Sequence, residues 1–427
     1  MADDFHFFPK TTARRLPWPK RVDIVLLTFF ASVVAYCDRV NISVAAPLIM
    51  RDYHWDTGRM GWVLSGFFIG YVMFMIPFGI LADRCGPKRV LAWSVAWWSA
   101  FTALTPISKS LPGMTCIRVL IGTGESGMFP SMNSMLVRWF PREEYSRATG
   151  FGWSGGYAGP VLAFPLSSAV VGRWGWKAVF FLFASLGLLW LPFWLKASSD
   201  RPELSRGIDK TELEYIARSR PDVTLVRTAP WRRMLLLPAL WATLGLHFSC
   251  NWYYYVMLSW LPTYLLIERQ ISLANVGVAT SLPFLSALFG TNLAGPLIDR
   301  LSHRRDRTRV RKGFLLLFFL AACTLPGLSH ISSPTRVVLL LSLGMALYSA
   351  VAPVYSSSSL DLAPRHAGMF VGIQNTVANF AGVAAPVVIG YVVKAVGWSA
   401  AFWLTAAVSS VGILIYLVFG STRQVIE

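Results

Sequence analysis

Gly79-Ile80-Leu81-Ala82-Asp83-Arg84-Cys85-Gly86-Pro87-Lys88-Arg89 lies between two long apolar runs, and its core returns 216 positions later as Gly295-Pro296-Leu297-Ile298-Asp299-Arg300. The repetition extends further. Pro141-Arg142 recurs as Pro364-Arg365 after 223 positions, and Gly175-Trp176 with Phe180 recurs as Gly397-Trp398 with Phe402 after 222. Three matches at nearly one offset divide the chain into two parallel copies of one design.

The runs around these repeats set the solvent. Of 427 residues, 55% are apolar and only 14% charged, whereas a soluble domain carries about a quarter charged. Apolar stretches of about 20 residues, which span a bilayer at 1.5 Å per residue, recur from Val22 to Phe419. The expected fold is an all-α integral membrane protein with twelve spans, at 22–49, 60–82, 89–108, 113–139, 147–171, 177–196, 234–267, 273–299, 313–330, 336–360, 367–394 and 398–420. These sort into a cytoplasmic lead (1–21), a six-helix bundle (22–196), a polar cytoplasmic linker (197–233), a second six-helix bundle (234–420) and a cytoplasmic tail (421–427). Two parallel repeats facing each other across a central cavity suit alternating access by rocking. The first span follows a polar lead and carries Asp38 and Arg39, so it reads as a span and not as a signal peptide. The five cysteines are scattered, which gives neither a disulfide framework nor a metal site.

The net charge of +18 has a topological origin. With the N-terminus inside, 29 of the 39 Lys and Arg residues fall on cytoplasmic segments, eight on outer loops, and Arg39 and Arg118 within spans. Basic loops resist translocation, so the runs Arg304-Arg305 and Arg307 to Lys312 read as loop charge, and nucleic acid is not an expected partner. The lipid bilayer is, and the chain is expected to work as a monomer.

Charges buried in a bilayer cost about 2.5–3.5 kcal/mol each on insertion scales and persist where function needs them. Away from span ends there are four: Asp38, Arg39, Arg118 and Glu125. Counting from the span ends at 1.5 Å per residue puts Asp38 about 16 Å deep, Glu125 about 18 Å and Arg118 about 8 Å. Arg118 and Glu125, seven apart, share one helix face, and Tyr36 lies one turn from Arg39. Two acids and two bases form a neutral set. It is either a pair of structural salt bridges or a proton-coupled anion site in which protonating Asp38 or Glu125 frees an arginine. A guanidinium offers a carboxylate a bidentate fork. No cofactor is expected; protons serve as the coupling ion, up to two per cycle. No nucleophile–base pair or phosphate-cradling loop points to an enzyme.

Gly79-x-x-x-Asp83-Arg84-x-Gly86-x-Lys88-Arg89 resembles the motif between the second and third helices of major facilitator proteins. There the aspartate caps and pairs with neighbouring charges, which implies a gating role for Gly79, Asp83, Arg84, Gly86, Lys88 and Arg89, and for Asp299 and Arg300 in the second copy. Tyr36-x-Asp38-Arg39-x-Asn41-Ile42-Ser43, Arg118-x6-Glu125, Asn251-Trp252 with Leu261-Pro262-Thr263-Tyr264, and Leu360-Asp361-Leu362-Ala363-Pro364-Arg365 resemble the anion:cation symporter family. Its members include bacterial galactonate, glucarate, hexuronate and phthalate permeases and animal sialic acid, phosphate and vesicular glutamate carriers. The resemblance implies that Asp38 and Glu125 couple protons, that Arg39 anchors a substrate carboxylate, and that Tyr71 and Asn375 line the cavity.

The chain departs from that family where sugar-acid members carry a glutamine, since it reads Ser154-Gly155-Gly156-Tyr157. Loop 50–59 is short, which favours a bacterial inner membrane over an animal one. Trp153, Asn251, Tyr254 and Asn379 join Tyr36, Arg118 and Asn375 as candidate substrate contacts; for Asn375 and Asn379 interhelical hydrogen bonding is an equal alternative. Trp252 to Tyr255 cannot all face one side at 100° per residue, so one or two are expected at the cavity. The expected substrate is a carboxylate, either a sugar acid or an aromatic or other organic acid; Gly156 in place of a polar group, with the aromatics of the seventh span, leans slightly towards the aromatic or less polar acids. Import by proton symport is the expected activity. The alternative is proton-coupled efflux or exchange of an organic anion or drug-like compound, for which Gly155-x-x-x-Gly159-Pro160 resembles part of the motif of proton-coupled drug antiporters.

Overall fold

A computed structural model describes residues 18–219, 236–302, 305–362 and 367–421. The lead up to residue 17, residues 220–235 at the end of the linker and the start of the second bundle, Arg304, the Pro364-Arg365 pair and the tail from residue 422 lie outside the described residues. Every regular element among the described residues is helical. In the first half these are α1 (Lys20–Tyr53), α2 (Thr57–Cys85), α3 (Pro87–Leu104), α4 (Leu111–Glu125), α5 (Met128–Trp139), α6 (Arg142–Trp174) and α7 (Trp176–Ala197). The linker contributes α8 (Lys210–Ser219). In the second half follow α9 (Pro238–Thr263), α10 (Leu273–Ser302), α11 (Arg307–Gly327), α12 (Pro334–Ser349), α13 (Ala352–Leu362), α14 (Ala367–Val396) and α15 (Trp398–Phe419).

The repeat seen in the sequence is also a repeat of backbone geometry. Gly175 and Gly397 adopt φ +80° and +89°, conformations that side-chain-bearing residues avoid. Each ends one helix by donating its N–H to a carbonyl four residues back, Val171 and Val393, at 3.0 Å in both cases. Each then starts the next helix, where Trp176 meets Phe180 at 6.0 Å and Trp398 meets Phe402 at 6.1 Å between ring centroids.

Two expected spans are broken. The stretch 113–139 divides after Glu125, where the Gly127 N–H turns back to Gly124 O and Pro130 has no N–H for Ser126 O. The stretch 336–360 divides at Ala350-Val351 ahead of Pro353, and Ser349 O accepts from Thr291 Oγ1 at 3.1 Å. Eight helical segments among the described residues are long and apolar enough to cross a membrane. The expected spans that fall short are those on α1, α4–α5, α6 and α9. These carry Asp38 and Arg39, Arg118 and Glu125, Trp153, and Asn251; side chains that line a cavity lower the apolarity that a lipid-facing helix requires.

Within the first half, α1 packs on α6 and α7, and α2 on α4. Within the second, α9 packs on α14 and α15, and α10 on α12. The halves meet through α2 with α14 and α6 with α10, and these contacts gather at one end. There Thr57 Oγ1 donates to Gly390 O at 2.7 Å, and Lys394 Nζ pairs with Asp56 at 2.9 Å. Ser168 Oγ donates to Leu273 O. A Cβ on Gly61 would lie 2.7 Å from Pro386 O, and one on Gly277 2.5 Å from Phe164 O, so backbone packs directly on backbone. Towards the other end the same helices part: a Cβ on Gly79 would touch only Pro130 of its own half, and one on Gly295 nothing within 4 Å. Among the described residues the halves meet at the end bearing the N-termini of α2 and α10, and the helix ends bearing Asp83 and Asp299, called the open end below, show no such contact at Gly79 or Gly295.

Candidate anion site between the two halves

Asp38 and Arg39 are consecutive on α1, so their side chains diverge by about 100° and enter different surroundings. Arg39 turns to α4 and α2. Its Nε donates to Glu125 Oε1 in an ion pair whose side chains are 3% and 0% exposed. Three rings enclose the guanidinium, Tyr36 at 4.6 Å, Tyr71 at 4.7 Å and Phe67 at 4.9 Å from Cζ. Two atoms of the pair stay uncommitted: Arg39 NH2 and Glu125 Oε2 have no hydrogen-bond partner.

Asp38 turns to α3. Its Oδ1 accepts from Asn41 Nδ2 at 3.5 Å, and Trp98 and Thr102 stand beside the carboxylate. Arg118 is within electrostatic reach of both acids but forms no ion pair among the described residues, and its Nε and NH1 are unpartnered. The four charges therefore do not form two mutually satisfied salt bridges. One pair is closed and the other acid and base stand apart. Phe67 is shared by the two arginines, 4.9 Å from Arg39 Cζ and 5.1 Å from Arg118 Cζ, so one ring is within cation–π reach of both.

The second half supplies the facing wall. All four consecutive aromatics of α9 are buried, and they divide the work. Tyr253 stacks on Tyr348 at 5.0 Å within its own half. Tyr254 and Tyr255 turn to the first half, with Tyr254 6.4 Å from Tyr157 and Tyr255 4.3 Å from Phe68. Tyr255 OH donates to Asn379 Oδ1 at 2.6 Å, and Asn379 Nδ2 donates to Asn375 O at 2.7 Å. Asn379 is thus held by interhelical and local bonds, while Asn375 and Asn251 are half-buried. Trp153 stacks on Phe129 at 4.1 Å and donates to Asn133 Oδ1 at 3.2 Å.

Phe67, Phe68, Tyr157 and Tyr355 escaped the sequence reading. Tyr355 stacks on His247 at 4.0 Å. An aromatic in an apolar span gives no signal of which side it faces.

At the open end, the Gly79–Arg89 turn is tied to its own half. Asp83 accepts from Ser134 Oγ at 3.0 Å, and among the described residues it forms no ion pair of the kind that the motif implies. Lys88 donates its backbone N–H to Asp200 Oδ1 at 2.9 Å and its Nζ to Leu195 O and Ser198 O. Gly86 has φ +92°, and a Cβ there would meet the Asp200 carboxylate at 2.6 Å. Arg84, Arg89, Asp299 and Arg300 are exposed. The linker docks on the same end: Glu212 accepts from the N–H groups of Lys20 and Arg21 at 2.9 and 3.1 Å, capping α1, and Arg21 also pairs with Glu144 at 3.1 Å.

The sequence matches the Major Facilitator Superfamily model over residues 28–386 and 306–425. It is 34% identical over 420 residues to the chloroplastic sodium-dependent phosphate transport protein 1 of Arabidopsis thaliana, covering 96% of this chain and 82% of that protein. Against the chloroplastic ascorbate transporter of the same plant identity is 33%, covering 96% and 77%, and against human sialin 29%, covering 96% and 91%. Among solved structures, a bacterial homologue of the human lysosomal transporter Spinster, in an inward-facing and unoccupied conformation, superposes with a TM-score of 0.79 at 16% identity, covering 95% of this chain and 98% of that one.

Proposed function

Because this chain belongs to the major facilitator superfamily, a family of non-enzymatic membrane carriers, and its relatives are anion transporters, we propose that it takes up a small organic anion, a carboxylate, by proton symport. The observation that carries this reading is the buried Arg39–Glu125 pair with one free nitrogen and one free oxygen. Arginine keeps its charge at any accessible pH, so the member that can be neutralised is Glu125. A proton on Glu125 releases the guanidinium, and an incoming carboxylate replaces the lost anion. Asp38 is a second proton acceptor, near Arg118 yet unpaired with it.

The same reading has the chain crossing the membrane twelve times, with α4–α5 and α12–α13 each forming one broken crossing and both termini in the cytoplasm. The charge asymmetry supports this orientation, which makes the open end cytoplasmic and the described state inward-facing. Both halves contribute walls to one central site, so a monomer is sufficient for alternating access. The three-residue loop between α1 and α2 supports a bacterial inner membrane.

The test is uptake into proteoliposomes under an inward proton gradient, with a panel of sugar acids, aromatic acids, dicarboxylates and phosphate. At least one carboxylate accumulates, and collapsing the gradient abolishes it. Concentrative uptake that ignores the proton gradient, or follows sodium instead, would sink the coupling.

A further inference from the structure

We infer that Phe67 is a positioning residue of the anion site, its ring holding the Arg39 and Arg118 guanidiniums in place with a grip weaker than an ion pair. The inference rests on the reading of Arg39 as the carboxylate anchor and names what steadies that anchor and the second arginine.

The placement of the ring begins with the backbone. A Cβ on Gly66 would lie 2.9 Å from Thr115 O and 3.2 Å from Arg118 Cβ, and a Cβ on Gly70 or Gly122 would overlap Val119 O or Phe67 O. At these positions α2 and α4 touch directly, so residue 67 cannot draw back from the helix that carries Arg118 and Glu125. The Phe67 ring is 1% exposed. It stacks on Tyr71 at 5.7 Å with planes 22° apart and meets Phe68 edge-on at 5.1 Å. Packed in this way, it stands within cation–π distance of Arg39 and Arg118 at once.

The two guanidiniums depend on that ring unequally. Arg39 also has Glu125 and the rings of Tyr36 and Tyr71. Arg118, equally buried, forms no ion pair among the described residues; it meets the Phe67 ring and has Asp38 and Glu125 within electrostatic reach. A buried guanidinium left without partners is costly, and an aliphatic side chain at 67 would fill the space without supplying one. A carboxylate at 67 would supply too much, closing Arg118 into a second ion pair. A ring face offers negative potential without a formal charge, so it holds a cation and still lets it go. The same ring gives Arg39 a partner at the moment Glu125 is neutralised, keeping the fork in place for the incoming carboxylate.

The experiment places mono-, di- and trifluorinated phenylalanine at position 67 of the full chain, and separately at position 68. Fluorine withdraws negative potential from the ring face and hardly alters its size. Phe68 is the control, because its ring contacts among the described residues are aromatic, Phe67 and Tyr255. The purified proteins are compared by melting temperature, and in proteoliposomes by uptake of radiolabelled benzoate and galactonate under an inward proton gradient. At 67 the melting temperature falls with each fluorine, and in an Arg118→Gln background the steps shrink because one of the two cations is gone. KM for the transported acid rises over the series by about twofold to thirtyfold, while the same residues at 68 produce no such steps. Flat melting temperatures at 67, equal trends at 67 and 68, or undiminished steps in Arg118→Gln overturn the inference, since packing alone would then account for Phe67. Stepwise melting with an unchanged KM overturns the positioning role and leaves the ring a structural prop. Uptake that ignores the proton gradient sinks the symport reading and leaves this comparison intact; if neither acid accumulates, the melting series and its Arg118→Gln counterpart decide.

Discussion

Arg39 on α1 and Glu125 at the last turn of α4 are joined through Nε and Oε1, while NH2 and Oε2 point to no partner. The pair holds two helices of the first half together and keeps one atom of each sign in reserve. Breaking a buried pair from one side costs about 3–5 kcal/mol because a lone charge is left behind. On the proposed symport reading, freeing Arg39 therefore needs a compensating anion at the moment Glu125 is neutralised, and that requirement is what would couple substrate to proton.

Replacing Glu125 by Gln imitates the protonated state without changing shape. Gradient-driven uptake falls at least about tenfold, whereas counterflow exchange, which needs no net proton movement, persists. Loss of both in a protein that still elutes as a single species would assign Glu125 a structural role.

Arg39→Lys keeps the charge and removes the fork. Hydrogen bonds to charged groups contribute about 1.5–3 kcal/mol, so KM for the carboxylate rises roughly tenfold to a hundredfold. Lysine also forfeits the flat stacking among Tyr36, Phe67 and Tyr71. An unchanged KM would argue against bidentate anchoring.

The Asp56–Lys394 pair at the end where the halves meet is 35% and 52% exposed, so its contribution is at most about 1 kcal/mol. Asp56 is held below the ordinary aspartate range, first by the Arg59 backbone N–H at its helix cap and then by Lys394. A lowered folded value means the contribution is complete above about pH 3.9 and is lost as pH falls through the folded value. Labelling of a reporter cysteine placed behind this gate is therefore flat between pH 5 and 8. Lys394→Ala increases labelling up to about fivefold, and the exchanged pair Asp56→Lys with Lys394→Asp restores it.

Gly122 and Gly150 make a contrasting pair. A Cβ on Gly122 would lie 1.8 Å from Phe67 O, while one on Gly150 meets nothing within 4 Å. Gly122→Ala forces α2 from α4 and costs about 3 kcal/mol or more, read as a lowered melting temperature and lost transport. Gly150→Ala is neutral or stabilising by up to about 1 kcal/mol.

Glu212→Ala uncaps α1 and releases one partner of Arg21. Amides at residues 210–219 then exchange faster with solvent, while those at the Arg39–Glu125 level keep their rates. Unchanged exchange in α8 would mean that the linker is held by something other than this carboxylate.

The helical, membrane-embedded architecture was legible from the sequence because length and apolarity answer to one physical demand, the satisfaction of every backbone group inside lipid. Where lipid is not the neighbour the signal faded. The spans on α1, α4–α5, α6 and α9 fail the apolarity of their neighbours, and two expected spans are interrupted at Glu125 and Ala350, where proline removes a donor and the chain can bend around a site. The four buried charges were identifiable one by one, since each is costly in an apolar run. Their pairing was not, because helical spacing relates residues on one helix and says nothing of which helix stands opposite.

The sequence by itself determined that this chain lies in a membrane, that its two halves repeat one design, and that Asp38, Arg39, Arg118 and Glu125 are charges buried in its interior. Glycines at 175 and 397 announced the repeat because only glycine is comfortable at their φ angles. Tertiary structure alone decided that Arg39 takes Glu125, that both arginines share the Phe67 ring, that the halves meet at the Asp56–Lys394 end, and that Tyr36, Phe67 and Tyr71 surround the Arg39 guanidinium. Those are relations between distant segments, set by the close approach of helix backbones and the direction of each side chain, and no local pattern encodes them.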